Sequence, residues 1–299
     1  MMVNETTKIS IGICAYNEEE NIGILLDNLL SKQNLPRNSD IIVVCCGTDS
    51  TPEIVRGFSN RDSRVKLIVE DKRRGKAAAL NVLFREARSS DVLVLINADC
   101  LPAPGSIDKL IRPLRDPNVG ATVGRPQPIN EKKGIANLIT HLIWNLHHET
   151  SLRTVKMSGE LCAIRTKLVE RIPTNVATDE PYIQRLVQQQ GYKIIYVPEA
   201  VVYMRGPSNL RELLEQRRRI NAGHLQIKWT ANFVVPTLKL RNILPALTRV
   251  LNSLDVKGLA IIFLGLLLET CARLLARYDL SKGRIPYMWK VLKSTKKLY

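Results

Sequence analysis

Three polar clusters carry residue types and spacings suited to chemistry. Asn97-Ala98-Asp99 closes the apolar run 92–96, Asp179-Glu180 opens an amphipathic stretch, and Arg217-Arg218-Arg219 lies in a long basic one. A carboxylate at Asp99 can hold a divalent cation against a diphosphate. Alone, the triplet reads equally well as a cap or as a ligand. Gly75-Lys76 precedes an alanine-rich run. Backbone N–H groups and an ammonium there can cradle phosphate, or the pair can be an exposed turn beside Lys72, Arg73 and Arg74. Cys46-Gly47-Thr48-Asp49-Ser50-Thr51 reads as a turn into a helix, and the three arginines alone read as a solvated helix face.

The elements that must position these groups follow from periodicity. Residues 92–96 are too short for a globular helix and read as a strand buried on both faces, at the centre of a parallel sheet. Ligands of open α/β sheets bind at the carboxyl ends of such strands. Residues 8–15, 41–46 and 65–69 predict three more strands. Ile22, Leu25, Leu26, Leu29 and Leu30 recur at helical spacing, with Asn17 as the expected cap and Glu18–Glu20 at the positive end of the dipole. Thr51-Pro52-Glu53 predicts a second helix, Thr51 its cap. A third runs from Gly75-Lys76 to about Arg88. Strands alternating with helices imply right-handed crossovers and a three-layer α/β sheet.

Further on, the pattern predicts helices over 105–114, 135–146, the stretch after Asp179-Glu180, and 209–229. Strands are expected over 119–123, 193–197 and 201–203, with an extended segment over 155–164. Gly258–Leu268 carries no charge but is only 11 residues long, against about 20 needed to span a bilayer. Glu269 and Arg273 follow at a spacing that pairs them on one helical face. This segment is expected to pack as core or lie at a membrane, with the basic tail Lys290–Lys297 on anionic lipid.

The chain has 299 residues and a net charge of +16. That charge favours polyanions: nucleic acid, an anionic membrane or phosphorylated substrates. The six Cys have no metal-site spacing and mostly lie beside apolar runs, as buried thiols in a reducing compartment do. Residues 1–8 lack the apolar core of a signal peptide, so a cytoplasmic catalytic part is expected. His141, His147 and His148 read as packing and surface residues, and His224 carries no assigned role. No Gly-x-Gly-x-x-Gly follows the first strand, against a dinucleotide oxidoreductase. No helix-turn-helix, zinc or aromatic-platform pattern favours specific nucleic-acid binding.

As an ordered set, the motifs are more specific. Tyr16-Asn17-Glu18-Glu19, Thr48-Asp49-Ser50-Thr51, Gly75-Lys76-Ala77-Ala78-Ala79-Leu80-Asn81 and Asn97-Ala98-Asp99, all at strand ends, resemble the nucleotide-binding half of family 2 glycosyltransferases, inverting enzymes of the GT-A fold. Ser158-Gly159-Glu160 is similar to the family's glycine-containing strand beside the acceptor. Asp179-Glu180 falls at its acidic pair, and Gln216-Arg217-Arg218-Arg219-Ile220 at its Gln-x-x-Arg-Trp. The resemblance covers roughly residues 8–225.

It implies a GT-A α/β/α sandwich with a mostly parallel sheet and C-terminal helices. Residues 1–100 would be the nucleotide-sugar half, 101–230 the acceptor half and 231–299 a helical packing or membrane segment. The donor would be a nucleotide-diphosphate sugar, bound by Tyr16, Glu18, Asp49, Lys76, Asn97, Gln216, Arg218 and Arg219. Asp99 would ligate Mg²⁺ or Mn²⁺. Ser158 and Gly159 would line the acceptor, which is expected to be lipid-linked or membrane-proximal. Glu180, with Asp179 next, would be the base, and a phosphate acceptor would need none.

Three positions depart from the family. Asn97 replaces an aspartate and adds no charge for the metal. Val44-Cys45 replaces an acidic pair. Ile220 replaces the aromatic residue, which argues for single transfer over polymer synthesis. A nucleotidyltransferase and a non-catalytic basic scaffold with a degenerate site are the competing classes. The first predicts pyrophosphate release, the second steep salt dependence of nucleic-acid binding.

Overall fold

The computed structural model describes residues 7–252 and 256–296. Residues 1–6, which carry most of the leader expectation, and Lys297 of the basic tail lie outside the described residues. The first half alternates as expected: β1 (Ile9–Tyr16), α1 (Ile22–Ser31), β2 (Asp40–Cys46), α2 (Thr51–Ser59), β3 (Val65–Val69), α3 (Lys76–Glu86) and β4 (Val92–Asn97). These strands form a parallel ladder in the order β3-β2-β1-β4. The order reverses between β1 and β4, where Cys14 pairs with Asn97. Such a reversal opens a crevice beyond the strand ends, here beside Tyr16 and Asn97.

The second half adds β5 (Cys100–Pro102), α4 (Ser106–Ile111), β6 (Val119–Pro128), α5 (Ile135–Ser151), β7 (Leu161–Arg165), α6 (Glu180–Gln189) and β8 (Lys193–Met204). β7 is antiparallel to β4 and to β6, β8 is parallel to β6, and the short β5 closes the edge antiparallel to β8. The eight-stranded sheet is therefore parallel in its first half and mixed in its second.

Alternate residues of each central strand enter cores on opposite faces, the period-2 rule for a sheet covered on both sides. Ile9, Ile11, Ile13, Val94 and Ile96 meet Leu25, Leu29, Val55 and Leu110 of α1, α2 and α4. Leu93, Leu95, Ile42 and Val44 meet Leu80, Leu83, Ile183 and Val187 of α3 and α6. These are the three layers. Gly12 lets α3 approach: a Cβ there would lie 2.9 Å from Leu83 and 3.2 Å from Leu93 and Leu95.

α7 (Leu210–Ala231) starts at Asn209, whose side chain accepts the Glu212 N–H at 2.9 Å. It is followed by α8 (Leu240–Asn252) and α9 (Val256–Ser281). Ala177, Ala222 and Ala276 are buried together where α9 crosses α7. The chain then runs back over the sheet's carboxyl ends to Lys296, which donates to the Tyr16 carbonyl at 2.9 Å.

Several expectations change. Asn21, not Asn17, precedes α1, and Glu18–Glu20 lie before the helix rather than in its first turn. Asn17 instead takes a positive φ of 52°. Ser50, not Thr51, flanks α2. The Thr51 hydroxyl is used elsewhere, donating to Asp49 and accepting from the Glu18 N–H. The strands expected over 193–197 and 201–203 are one, because β8 continues through Pro198 at the sheet's margin. α9 does not stop with the uncharged run. It continues through Glu269 and Arg273, which pair at 3.0 Å, so 257–281 is long and apolar enough to cross a membrane. Cys45, Cys100 and Cys162 are buried free thiols, but Cys271 is exposed.

Candidate active site

A cavity of about 910 Å³ lies over the carboxyl ends of β1 and β4. Tyr16, Glu18, Lys76, Asn97, Asp99, Ser158, Gly159, Glu180, Gln216, Arg218 and Arg219 line it. Residues far apart in sequence thus meet at the crevice, delivered by the ends of β1 and β4, the starts of α3 and α6, the segment before β7 and the middle of a later helix.

On the β1–β4 side, the Glu18 carboxylate accepts from Asn21 Nδ2 at 3.0 Å and from the Lys296 ammonium. Burial and the charge of Asp99 push the Glu18 carboxyl up to about 7. Burial likewise raises Asp99, with Lys296, Lys76 and Arg219 opposing. Two buried carboxylates that disfavour each other's ionisation form a site a cation would stabilise. Their hard oxygen donors suit Mg²⁺ or Mn²⁺. No group of three or more His, Cys, Asp or Glu able to hold a metal occurs among the described residues, so the remaining ligands would have to come from a bound molecule. The Tyr16 ring is covered by the Arg73 guanidinium, 3.9 Å from its centroid.

Asp49 has a different placement. Its carboxylate accepts the Glu19 N–H at 3.0 Å, the Thr51 N–H at 3.1 Å and the Thr51 hydroxyl at 2.7 Å. Burial works against ionisation, but these hydrogen bonds hold the carboxyl below its ordinary value. Asp49 braces the loops after β1 and β2 and is not among the cavity-lining residues.

The centre of the cavity is an ion-pair cluster. Lys76 Nζ stands 3.5 Å from Asp179 and 3.7 Å from Glu180. Burial alone would neutralise this ammonium; the two carboxylates outweigh it and keep the lysine protonated. Burial, then Glu180, push Asp179 up to about 6, with Lys76 opposing. Gly159 gives this cluster its room: a Cβ there would fall 2.3 Å from Glu180 Oε1 and 2.9 Å from Lys76 Nζ.

The three arginines diverge in use. Arg217 meets Glu269 of α9 at 2.8 and 3.2 Å. Arg218 meets Asp279, with Nε at 2.6 Å. Arg219 lies 3.5 Å over the Trp289 ring. Burial lowers its pKa to about 10, although Glu180, Asp179, Glu160 and Asp99 all oppose this. Arg219 is therefore the member turned toward the acidic centre.

Several groups at this site carry no motif signal. Trp289 donates its indole N–H to the Ala177 carbonyl at 3.1 Å, Arg73 donates to the Trp289 carbonyl, and Lys290 reaches Glu215 at 3.5 Å. The basic tail through Lys296 thus packs back on the cavity rather than projecting toward lipid, because buried acids attract it. Glu160, pushed up to about 7 by burial and by Glu180, also lines the cavity. So do Lys156, His147 and His224. His147 is half-buried in the cavity wall, with its ring nitrogens shielded from solvent. His141 and His148 do serve packing, through the Asn130 carbonyl and the Tyr196 hydroxyl, each at 2.8 Å.

The comparisons agree with this architecture. The model of "Glycosyl transferase family 2" matches residues 10–172, and that of "Glycosyl transferase family group 2" matches residues 92–278. Poly-beta-1,6-N-acetyl-D-glucosamine synthase of Staphylococcus aureus is 26% identical over 234 residues, covering 74% of this chain and 56% of that protein. An N-acetylglucosaminyltransferase of Sinorhizobium fredii is 24% identical, over 84% of this chain and 63% of that protein. The chain thus spans little more than half the length of the first of these relatives. Among solved structures, a mannosyltransferase of Pyrobaculum calidifontis in complex with GDP-Man and Mn²⁺ shares the fold with a TM-score of 0.65 and 23% identity, covering 95% of this chain and 89% of that one. By the extent of the family-model match, this chain belongs to glycosyl transferase family 2.

Proposed function

We propose that the protein transfers a sugar from a nucleotide-diphosphate sugar to an acceptor at a membrane, by single displacement with inversion. One observation carries this reading: a single cavity joins the Glu18 and Asp99 carboxylates at the strand ends to Lys76, Glu180 and Arg219, with Asp179 behind the wall 3.5 Å from Lys76. Tyr16, Glu18 and Asn97 bind the nucleotide's base and ribose, and Asp49 holds their loops. Asp99, with Glu18 beside it, holds Mg²⁺ or Mn²⁺. When bound, the metal supplies positive charge against the diphosphate of the leaving nucleotide. Arg219 adds a fixed cation to the same charge, with Gln216 and Arg218 on the adjoining wall. Ser158 and Gly159 border the acceptor. For a hydroxyl acceptor, Glu180 is the base and Asp179 the second choice. The relatives' polymer synthase does not fix the product here, since Ile220 lacks the aromatic ring and a single transfer suits this site.

The membrane part of the reading rests on α9. Phe263, Leu266, Leu267 and Leu274 on its outer face are 55–68% exposed, while Ala272 and Ala276 face the protein. A contiguous apolar face of this kind marks an interaction surface. We place it on the cytoplasmic side of an anionic bilayer, to which the protein's net positive charge draws it.

Calorimetry with UDP, GDP, ADP and dTDP, with and without Mn²⁺, tests the donor site. The expected result is metal-dependent binding of one nucleotide, lost in Asp99→Ala. Absence of binding under every condition favours the basic-scaffold reading instead.

A further inference from the structure

We infer that the segment 284–296 is a strap that closes the donor site by exchange of cations: the Lys296 ammonium stands in for the divalent metal and must leave when metal and nucleotide bind. The inference rests on the glycosyltransferase reading and names a control on that same site.

The strap follows α9 and contains no regular element beyond a short helical turn, Lys293–Thr295. It lies along the cavity, and its contacts there fall on groups proposed for the donor. Lys296 donates to the Tyr16 carbonyl at 2.9 Å and to the Glu18 carboxylate, while its own carbonyl accepts from Asn21. Of the charges that favour an ionised Asp99, Lys296 acts most strongly. One ammonium thus serves both carboxylates to which the metal is assigned. A second cation brought against the same pair would be repelled by it at close range.

Trp289 repeats the pattern on the side of the diphosphate. The Arg219 guanidinium lies 3.5 Å from its ring centroid and the Lys76 ammonium 5.2 Å. The face of an aromatic ring attracts cations, but far less than a diphosphate does. A neutral side chain therefore engages two cations that the donor's phosphates would claim. The Trp289 carbonyl also accepts from Arg73, the residue that covers the Tyr16 ring. Gly75 leaves room for this seat, because a Cβ there would lie 3.0 Å from the Tyr287 carbonyl oxygen.

Little else holds the strap down. Tyr287, Met288 and Val291 are exposed large apolar side chains. Among the described residues, no backbone N–H of 286–292 bonds to a carbonyl outside the strap. A segment with few buried apolar contacts and few backbone bonds opens at low cost in free energy. Its root is better fixed, since Ile285 packs on the alanine cluster where α9 crosses α7. The strap is thus hinged at one end and held at the other mainly by charges that a metal and a nucleotide can replace.

This arrangement sets the sign of a mutational effect. A site that is closed part of the time shows an affinity reduced in proportion to the open fraction. Removing Lys296 opens the site and tightens metal binding. Removing a group that itself holds the ligand would weaken it.

The test is titration of the full chain with Mn²⁺ alone, and with Mn²⁺ plus UDP, GDP, ADP or dTDP, on wild type, Lys296→Ala and Lys296→Arg. Tryptophan emission is followed throughout, with Trp289→Phe as its control. Mn²⁺ should bind Lys296→Ala about 10-fold tighter than wild type, and Lys296→Arg much as wild type. Saturation of wild type with Mn²⁺ and nucleotide should move emission to longer wavelength as the Trp289 ring leaves Arg219 for water, a shift that Trp289→Phe lacks. Equal or weaker Mn²⁺ binding in Lys296→Ala overturns the proposal. So does nucleotide binding that leaves the Trp289 emission unmoved. Tighter Mn²⁺ binding in Lys296→Ala, with no nucleotide bound by any of the proteins, keeps the cation exchange and sinks the donor reading.

Discussion

Replacing Gly159 by alanine separates the chemistry of the central cluster from its stability. The new methyl would lie 2.3 Å from Glu180 Oε1, roughly 1 Å inside ordinary van der Waals contact. The atom in the way is the end of a flexible side chain, so the carboxylate can swing aside without moving the backbone. The folded state should lose less than about 1 kcal/mol, a fall of about 2–4 °C in melting temperature for a protein approaching this size. The methyl also lies 2.9 Å from Lys76 Nζ, so the lysine shifts as well and its contacts, at 3.5 Å to Asp179 and 3.7 Å to Glu180, both lengthen. A misplacement of about 1 Å at a reacting centre costs about 100-fold in rate. The assay is release of nucleoside diphosphate from the donor sugar, with donor affinity measured alongside. We expect turnover to fall about 100-fold, donor affinity to change less than about 3-fold, and melting to shift by only a few degrees. Wild-type turnover in Gly159→Ala, or a collapse of the fold, would refute the argument that this glycine exists to make room for Glu180.

Two further outcomes follow from burial. Glu18 and Glu160 are pushed up to about 7, and Asp179 to about 6. These carboxyls take up protons in the folded state between about pH 4 and 7 and so stabilise it as pH falls, whereas His147, His148 and His224, held neutral by burial, work in the opposite direction over the same window. The share of one acid is isolated by Glu160→Gln, which should raise melting relative to wild type more at pH 7.5 than at pH 5; an equal shift at both would count against the raised value. Cys271 is exposed, whereas burial raises the thiol pKa of Cys14, Cys45, Cys46, Cys100 and Cys162. A maleimide should label Cys271 first, identified by peptide mass. Vesicles of anionic lipid should slow that labelling, and an unchanged rate would argue against α9 resting on the bilayer.

What the sequence discloses is local. Short β-branched runs such as 41–46 and 92–96 announce buried strands because both their faces must be covered, and the motifs at their ends fall into one cavity as expected. Boundaries are harder where polar residues compete for hydrogen bonds. Asn17 and Thr51 look like caps, but tertiary partners, the Thr48 N–H at 2.9 Å for Asn17 and Asp49 for Thr51, claim their side chains. The unread part of the site is non-local. Lys156, His147 and Glu160 matter through what surrounds them, and no spacing rule encodes that. Lys296 sits in a segment whose composition reads as lipid-facing, yet it meets the buried Glu18 at the far end of the chain, and Trp289 just before that segment stacks under Arg219.

The two ends of the described chain emerge at opposite poles of the sheet. β1 starts at Ile9 and delivers Tyr16 to the cavity, so its first residue stands about 23 Å from the site along the strand. Lys296, in contrast, touches Tyr16 and Glu18 themselves. A fluorophore placed at Lys290, which lines the cavity, would sense its occupancy, whereas one at Lys8 would stand at the far edge of the sheet. Preparations that differ only in probe position are thus different reagents for measuring nucleotide binding, and a probe at Lys8 leaves the cavity free.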